Sequence, residues 1–443
     1  MEKRDVVIIG GGPAGRSIVH AMKASGRDLK VTLIKNEEIN ANRCAIPYGI
    51  SGEKPVEKFQ ISNKLITDFG GELVIDQVNK IEPDTNQVHT ESGKIFEYKH
   101  LVISTGSRPV IPPIPGIKAE TITAVRSIAD LSRLRKFAAK GKRAVVVGGG
   151  YIGLEVAVVL KKLGIDVNLV EMLPKILMAT TEPEFISIIE DTLAENDLQV
   201  LVNKKVVEFV HLSDGTVEVK LESGETLAAD FVVLSVGVAP NTKLAAEAGI
   251  DTSRLGICAD ESLRTSVKNI YTCGDCAEKQ SFITGQPTRG EFGTNAVFMA
   301  RAAAQSILGN EVKFPGIINA NATVIYEWSV GSAGLTEQMA RDAGIDVVTG
   351  YSEVYDKYPM MDEVDVVRTK LVFNRTDQKL IGGSVMRKGN GTAQSVDFIS
   401  LAIQMGTTMK NLSDYQYATH PELAAKPSDN TYTFAAREAL SKL

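Results

Sequence analysis

A single cysteine near the start of this 443-residue chain is the first candidate for chemistry. Cys44 stands in the segment 42–49 (NRCAIPYG), which its proline and glycine mark as a loop. A cysteine thiolate is a nucleophile and a redox group, so an accessible Cys44 would suit thiol–disulfide chemistry. The alternative is a buried cysteine that packs without reacting.

Two glycine-rich turns predict two dinucleotide sites. Each follows an apolar strand, 5–9 (DVVII) or 143–147 (RAVVV), and each precedes a run compatible with a helix, 16–24 or 154–163. A strand, a G-x-G-x-x-G turn and a helix bring the backbone and a helix N-terminus up to a pyrophosphate. The residues of the first turn are Gly10, Gly12, Pro13, Ala14 and Gly15. Those of the second turn are Gly148, Gly150, Tyr151, Ile152 and Gly153.

The residue that ends the second strand of such a unit is expected to bind the ribose. In the second unit, strand 166–170 ends in Glu171. A carboxylate there accepts from the ribose 2′-hydroxyl and repels a 2′-phosphate, which favours NADH over NADPH. The first unit has Lys35 at this place, with Glu37 beyond it. Either Glu37 reaches back to the ribose, or backbone and water hold it.

Further turns complete a pattern of two nucleotide domains and a separate tail. Strand 101–103 runs into Thr105 and Gly106, strand 231–235 runs into Gly237, and segment 269–275 ends in Gly274 and Asp275. A proline-rich stretch, 111–116, is typical of a connection between domains. From about residue 320 the glycine turns stop, and strands such as 369–374 alternate with helices such as 395–405, which indicates an α+β domain. We expect four segments: 1–114, 115–245, 246–319 and 320–443.

Composition excludes several other classes of function. The net charge is −5, from 54 acids and 49 bases, which gives no electrostatic argument for binding nucleic acid or an anionic membrane. We find no apolar run long enough to span a bilayer, and a strand begins too early to leave room for a signal peptide. Four cysteines do not form a disulfide pattern, so a reducing cytoplasm is expected.

With these motifs in place, the whole chain resembles the FAD-dependent pyridine nucleotide-disulfide oxidoreductases. The carriers are the two glycine turns, the latter continuing into Leu154-Glu155, together with 104–106 (STG) and 272–275 (TCGD). The resemblance implies two Rossmann-like domains, the first binding FAD and the second NADH or NADPH, plus a C-terminal dimerisation domain. It also implies that Asp275 hydrogen-bonds the FAD ribitol and that the protein is a homodimer. No metal is implied.

Cys44 indicates the branch within this family. Members similar to glutathione reductase carry a C-x4-C pair in this loop, whereas 44–48 (CAIPY) resembles the single-cysteine branch of coenzyme A-disulfide reductases, NADH oxidases and peroxidases. There the cysteine lies against the flavin and cycles as thiolate, mixed disulfide or sulfenate. Arg43 is a candidate to assist at the cofactor, although its side chain could equally point away.

Three residues of the tail are further candidates by the same resemblance. Tyr358 and Tyr417 stand where the partner subunit's tyrosines approach the cysteine in the family. A tyrosine hydroxyl there would protonate a thiolate, but an ordinary interface tyrosine is the alternative. His420-Pro421 is similar to the His-Pro motif of the two-cysteine branch, where the histidine is a general acid; a packing role is the alternative.

The sequence leaves three functions open. The first is reduction of a small disulfide, polysulfide or persulfide by NADH through Cys44. The second is an NADH oxidase that reduces O2 to water or peroxide. The third is an electron-transfer reductase for a small redox protein. Cys44 disfavours this third function, because one-electron transfer needs no thiol. The helix after the first turn has only Arg16 and Lys23 as bases, fewer than coenzyme A phosphates would favour.

Two other features have a structural interpretation. Cys273 and Cys276 match C-x-x-C, but they flank Asp275 and lack a second ligand pair, so a packed, inert pair is expected. Glu155 could be a catalytic acid or a structural helix residue.

Overall fold

The computed structural model describes residues 2–118 and 120–443. The chain forms two compact units, each assembled from separate stretches of sequence. The first runs to Ile111 and includes Thr123–Lys136 and Val236–Ile317; the second contains Pro112–Ile122, Phe137–Ser235 and Ile318–Leu443. The four segments drawn from the sequence stay a prediction.

The first unit is built on a sheet whose central strand leads into the first glycine turn. Both neighbours of Glu2–Ile9 run parallel to it. The sheet becomes antiparallel where Gln87–Thr90 pairs with Ile95–Ile103. The strand order is Glu72–Ile75, Val31–Lys35, Glu2–Ile9, Ile95–Ile103, Gln87–Thr90, Val78–Glu82, with Ile270–Thr272 also paired to Ile95–Ile103. Short paired strands are Asn40–Ala41 with Gln60–Ile61, Ser107–Pro109 with Val238–Pro240, Thr252–Ser253 with Gly256–Ile257, and Lys279–Gln280 with Pro287–Thr288.

Helices cover the first sheet through an apolar face. Pro13–Ala24 begins at a proline with Gly12 as N-cap, and its Ile18 and Met22 belong to the same buried apolar cluster as Met299 of Gly293–Ile307. This placement fits the preference of proline for the first helical position. The remaining helices of this unit are Ile46–Gly49, Lys64–Thr67 and Lys243–Glu247, with 3-10 turns at Arg43–Ala45, Val56–Phe59 and Pro83–Thr85. Helix Ile128–Lys140 begins in this unit and ends in the other.

The second unit contains the second glycine turn on a parallel sheet of its own. The strand order is Ile122–Ala124, Phe231–Leu234, Arg143–Val147, Asp166–Val170, Gln199–Leu201. Its helices are Tyr151–Lys162 and Pro183–Glu195, and an antiparallel sheet joins Val206–His211, Val217–Leu221 and Thr226–Ala229. The nucleotide helix starts at Tyr151, directly after its N-cap residue Gly150, rather than at the expected residue 154.

An antiparallel sheet in the same unit confirms the expected α+β tail. Its strand order is Asn321–Ile325, Trp328–Gly334, Leu380–Lys388, Val366–Asn374, Val347–Tyr355. Its helices are Glu337–Asp342, Thr392–Gln404, Met409–Asp414 and Thr431–Leu440. The strand expected at 369–374 begins earlier, at Val366, and ends at Asn374. The helix expected at 395–405 also begins earlier, at Thr392.

A buried ammonium holds three carboxylates together in this unit. Lys370 Nζ lies 3.1 Å from Glu182 Oε2, 2.8 Å from Glu184 Oε1 and 2.9 Å from Glu337 Oε2, with only 6% of its side chain exposed. Burial lowers the pKa of Lys370, but the three carboxylates outweigh it and raise that pKa above its ordinary value. Burial raises the pKa of Glu182 despite its bond to Lys370.

Lys370→Met should therefore lower the free energy of unfolding by about 3–5 kcal/mol at neutral pH, because it leaves a buried carboxylate unpaired. A lysine with a raised pKa contributes stability below its unfolded pKa and loses it as pH rises through the folded pKa. The difference between parent and variant should thus persist to about pH 10 and shrink above it. Urea unfolding of the parent and the variant at a series of pH values measures this difference in stability. The exposed Lys379→Met is the control and should change stability by less than about 0.5 kcal/mol.

Candidate functional site

The first glycine turn has the geometry that a diphosphate needs. Gly10 has φ +112°, and a Cβ atom at Gly15 would lie 2.0 Å from the Gly10 carbonyl oxygen. Neither position therefore accepts a side chain. At Gly12, in contrast, no atom of the described chain lies within 4 Å of a Cβ position, so the backbone is open to an approaching group. Pro13 and Ala14 begin the helix behind it.

The second turn repeats this arrangement closely. Gly148 has φ +108°, and a Cβ atom at Gly153 would lie 1.9 Å from the Gly148 carbonyl oxygen. Gly150 again faces open space within the described part of the chain. Ile152, in the first turn of the helix, is 41% exposed. Both turns therefore present helix N-termini to solvent, as anion sites do.

Glu171 is placed beneath the second turn. It is 9% exposed, its Oε2 accepts from the Gly149 amide at 2.6 Å, and its Oε1 accepts from the Leu173 amide at 2.8 Å. A carboxylate has about four acceptor sites, so these two bonds orient it and leave capacity for ribose hydroxyls. Its role in selecting NADH stays a prediction.

Glu37 forms an ion pair with Arg43. Its Oε1 accepts from Arg43 Nη2 at 3.3 Å, an ion pair between two partly exposed side chains. The structure thus joins two residues that the sequence analysis proposed separately for the cofactor. Whether Glu37 contacts a ribose stays a prediction.

Asp275 and the turn around Gly106 meet in the first unit. Asp275 Oδ2 accepts from Ser107 Oγ at 2.7 Å, and Thr105 Oγ1 donates to the Asn241 carbonyl at 2.9 Å. A Cβ atom at Gly274 would lie 3.1 Å from Ala14 Cβ, so the 272–275 turn packs directly on the start of the first nucleotide helix. Gly237, with φ +97°, offers its carbonyl to the amide of Val110.

An arginine that the sequence analysis missed lies beside these groups. A Cβ atom at Gly106 would be 3.6 Å from Arg126 Nη2 and 3.8 Å from Arg43 Nη1. Arg126 Nη2 is buried and has no hydrogen-bond partner within the described chain. Burial, and then repulsion by Arg43, lower the pKa of Arg126 to about 10. A buried guanidinium with an unused donor fits an anionic group such as the diphosphate of FAD. No motif surrounds Arg126 in the sequence.

Cys44 is exposed, so it is not the buried cysteine of the alternative interpretation. It is the middle residue of the 3-10 turn Arg43–Ala45, which continues into the short helix Ile46–Gly49. Cys273 and Cys276 are both fully buried, and burial raises the pKa of Cys273 well above its ordinary value. Those two form the packed pair that was expected. The redox role of Cys44 stays a prediction.

The three tail candidates are near one another in the second unit. The Tyr358 amide donates to the Pro421 carbonyl at 3.0 Å, next to the exposed His420. His420 Nδ1 accepts from the Glu422 amide at 3.2 Å, and Tyr417 donates its hydroxyl to the Pro427 carbonyl at 2.6 Å. Cys44 belongs to the first unit, so a catalytic role for these side chains stays a prediction.

Tyr151 and Glu155 are anchored to the tail's edge strand. The Tyr151 hydroxyl donates to Asn321 Oδ1, and Glu155 Oε1 accepts from Thr323 Oγ1 at 2.7 Å. Burial raises the pKa of Tyr151. The hydrogen bond to Thr323 favours the structural interpretation of Glu155.

The described part of the chain contains neither a candidate metal site nor a candidate membrane span. Over residues 2–118 and 120–443, no group of three or more His, Cys, Asp or Glu side chains could hold a metal ion. Within the same ranges, no helix has both the length and the apolar character that a membrane crossing requires.

Comparison with known proteins agrees with this geometry. The family model described as pyridine nucleotide-disulphide oxidoreductase matches residues 4–300, and the dimerisation domain of the same family matches residues 320–430. The chain therefore belongs to the pyridine nucleotide-disulphide oxidoreductases, a family of enzymes that use FAD and NAD(P)H.

Individual relatives carry two kinds of name. An NADH oxidase of Methanocaldococcus jannaschii is 32% identical, with 99% of each chain covered. A CoA-dependent NAD(P)H sulfur oxidoreductase of Pyrococcus abyssi is 30% identical, with 94% of each chain covered. The solved structure of an NAD-dependent persulfide reductase from A. fulgidus is 28% identical with a TM-score of 0.92, covering 99% of this chain and 83% of the other.

Gly150 and Gly153 of the second turn differ in the space around them, so we expect alanine to have a different effect at each position. Gly150→Ala should leave the melting temperature within about 2 °C, because its Cβ meets no described atom, but should raise the KM for NADH about tenfold. Gly153→Ala places a Cβ 1.9 Å from a carbonyl oxygen and should lower stability by about 1–3 kcal/mol or more. Thermal unfolding and steady-state kinetics measure both. An unchanged KM in Gly150→Ala would contradict a diphosphate at this turn.

Proposed function

We propose that this enzyme uses NADH to reduce a small disulfide, polysulfide or persulfide through Cys44. The observation that carries the proposal is the exposed thiol of Cys44, held in a helical turn beside the Arg43–Glu37 pair. A sulfur substrate needs a reachable thiolate, and each of the other three cysteines is buried or half-buried. The sulfur-reducing relatives support this choice of acceptor.

The residues of the first unit fit FAD. The open backbone at Gly12 and the unused Nη2 of Arg126 would hold its diphosphate, and Asp275 would accept from its ribitol. When bound, the flavin supplies a centre that accepts a hydride from NADH and delivers an electron pair to sulfur. In the second unit, the turn at Gly150 and the carboxylate of Glu171 would bind the NADH diphosphate and ribose.

Cys44 forms and releases a mixed disulfide in this proposal. Its thiolate attacks one sulfur of R–S–S–R′, the substrate S–S bond breaks, and R′–S⁻ leaves with a proton from solvent or an acid group. Two electrons originating from NADH then cleave the Cys44–S–S–R bond and release the second thiol. The sum is NADH + H⁺ + RSSR′ giving NAD⁺ + RSH + R′SH. Tyr358, Tyr417 and His420 are proposed as proton donors, supplied by the partner subunit.

Cys44→Ser should abolish sulfur reduction while leaving reduction of the flavin by NADH, because only the second half-reaction needs the thiol. Anaerobic stopped-flow absorbance separates the two half-reactions, and turnover with disulfides and polysulfide gives the whole. The half-buried Cys258→Ser is the matched control and should keep parental turnover. Parental disulfide turnover in Cys44→Ser would remove the thiol from the reaction.

The oxidase relatives favour a second candidate, reduction of O2 with Cys44 as a sulfenate that processes peroxide. The same variant distinguishes the two. If Cys44→Ser converts a water-forming activity in air into release of hydrogen peroxide, the oxidase interpretation is correct. If the parent enzyme turns over slowly in air and quickly with sulfur substrates, the reductase interpretation is correct.

We further propose that Glu171 makes the enzyme prefer NADH over NADPH. Glu171→Gln keeps the side-chain shape but removes the charge that would repel a 2′-phosphate. The ratio of kcat/KM for NADH to that for NADPH should fall about tenfold. Glu195→Ala, an exposed carboxylate at the end of helix Pro183–Glu195, is the control. An unchanged ratio in Glu171→Gln would contradict the assignment.

The tail carries a dimerisation domain, and we propose that it assembles a symmetric homodimer. Met360 and Leu423, 71% and 79% exposed, lie on the two segments that Tyr358 and Pro421 join, and such apolar exposure suits a covered surface. Light scattering at micromolar concentration should give about twice the 47.7 kDa chain mass. A monomer would contradict the dimer and the shared active site. We also propose a reducing, cytoplasmic location, which the lack of a disulfide pattern among the four cysteines of the sequence favours.

A further inference from the structure

The two nucleotide units place opposite charges at one equivalent position. The Gly10 amide donates to the Ile34 carbonyl, and the Gly148 amide donates to the Val170 carbonyl, each at 2.8 Å. The next residues, Lys35 and Glu171, therefore occupy the same place beneath the two turns. A carboxylate at this place is the usual ribose ligand. A lysine ammonium has only donors and so does a different task.

The structure shows where the Lys35 ammonium is bound. The residue is 4% exposed, and its Nζ donates to Asn63 Oδ1 at 2.6 Å, to Asn40 Oδ1 at 3.0 Å and to the Glu38 carbonyl at 3.3 Å. These three acceptors match the three N–H groups of an ammonium. Burial lowers the pKa of Lys35, as expected for a cation enclosed by neutral acceptors.

Two of the acceptors, Glu38 and Asn40, lie on the chain that leads to Cys44, and the third, Asn63, follows the strand Gln60–Ile61 closely. Asn40 belongs to strand Asn40–Ala41, which pairs with Gln60–Ile61 and leads directly to Cys44. The same Asn40 donates its Nδ2 to the Gly11 carbonyl, within the first glycine turn. The Lys35 stem also contacts that turn, because a Cβ atom at Gly11 would lie 2.6 Å from Lys35 Cδ. Lys35 thus connects the turn to the cysteine segment.

We propose that Lys35 is a positioning residue, which fastens the segment bearing Cys44 to the first glycine turn in place of a ribose-binding carboxylate. Lys35 then supplies no carboxylate for a cofactor ribose at this turn, and its hydrogen bonds would instead fix the geometry between the turn and the thiol. The part that concerns the thiol rests on the proposed function; the part that concerns the turn does not.

A charge reversal tests the first part. FAD dissociation constants are measured by titrating apoprotein with FAD and following flavin fluorescence. Lys35→Glu should weaken FAD binding by about tenfold or more, because it sets a carboxylate against three acceptor oxygens. Lys35→Met should weaken it by about threefold or more, and Lys64→Met, an exposed neighbour of Asn63, should not change it. Tighter or equal FAD binding by Lys35→Glu would overturn the proposal, since the site would then merely lack its acid.

A double-variant cycle keeps the test independent of folding defects. Asn63→Ala removes one acceptor without adding a charge, and Lys35→Met with Asn63→Ala should bind FAD no more weakly than Lys35→Met alone. Additive losses would overturn the proposed connection.

The spectrum of the flavin tests the second part. Alkylation of Cys44 in the parent holoenzyme should change the flavin absorbance, and at saturating FAD this change should fall by about half or more in Lys35→Met. A full change in Lys35→Met would overturn the positioning role. If alkylation leaves the parent spectrum unchanged while the FAD results hold, the proposed function fails and the role of Lys35 at the turn stands.

Discussion

Within each nucleotide turn, one glycine lies directly against the carbonyl of another. At Gly15 and Gly153 a single Cβ atom would lie about 2 Å from a carbonyl oxygen, so helix and strand meet with no room for a side chain. This contact sets each helix close behind its strand, with the helix N-terminus at the turn. Gly12 and Gly150 lie within the same turns and face open space in the described chain, and the 272–275 turn packs on the start of the first helix at Ala14.

Two copies of one backbone arrangement carry different chemistry because their polar neighbours differ. Beneath the second turn, Glu171 is oriented by two amides and keeps acceptor capacity. Beneath the first turn, Lys35 Nζ donates hydrogen bonds to Asn40, on the segment that leads to Cys44, and to Asn63. The first unit combines this segment with two guanidiniums, Arg43 and Arg126, around Gly106. Sequence similarity to oxidases and to sulfur reductases is comparable, so the fold alone does not identify the electron acceptor.

Much of the fold was predictable because its signals are local. Apolar strands that run into G-x-G-x-x-G, and the loss of such turns after residue 320, gave the two nucleotide sheets and the α+β tail. The burial of Cys273 and Cys276 was expected because the pair flanks Asp275 and lacks a second ligand pair, whereas the exposure of Cys44 was left open by the sequence. Arg126 was missed because its importance comes from burial between distant segments. The partners of Lys35 were missed for the same reason, since Asn63 is far from it in sequence and hydrogen bonds of side chains leave no periodic pattern.

The central claim is that Cys44 carries the substrate sulfur. The most direct measurement is intact-protein and peptide mass spectrometry of the NADH-reduced enzyme after anaerobic reaction with one equivalent of a mass-labelled disulfide. We expect one labelled thiol per chain, attached to Cys44, and its release when more NADH is added. A label on another cysteine, or an adduct at Cys44 that NADH does not remove, would contradict it.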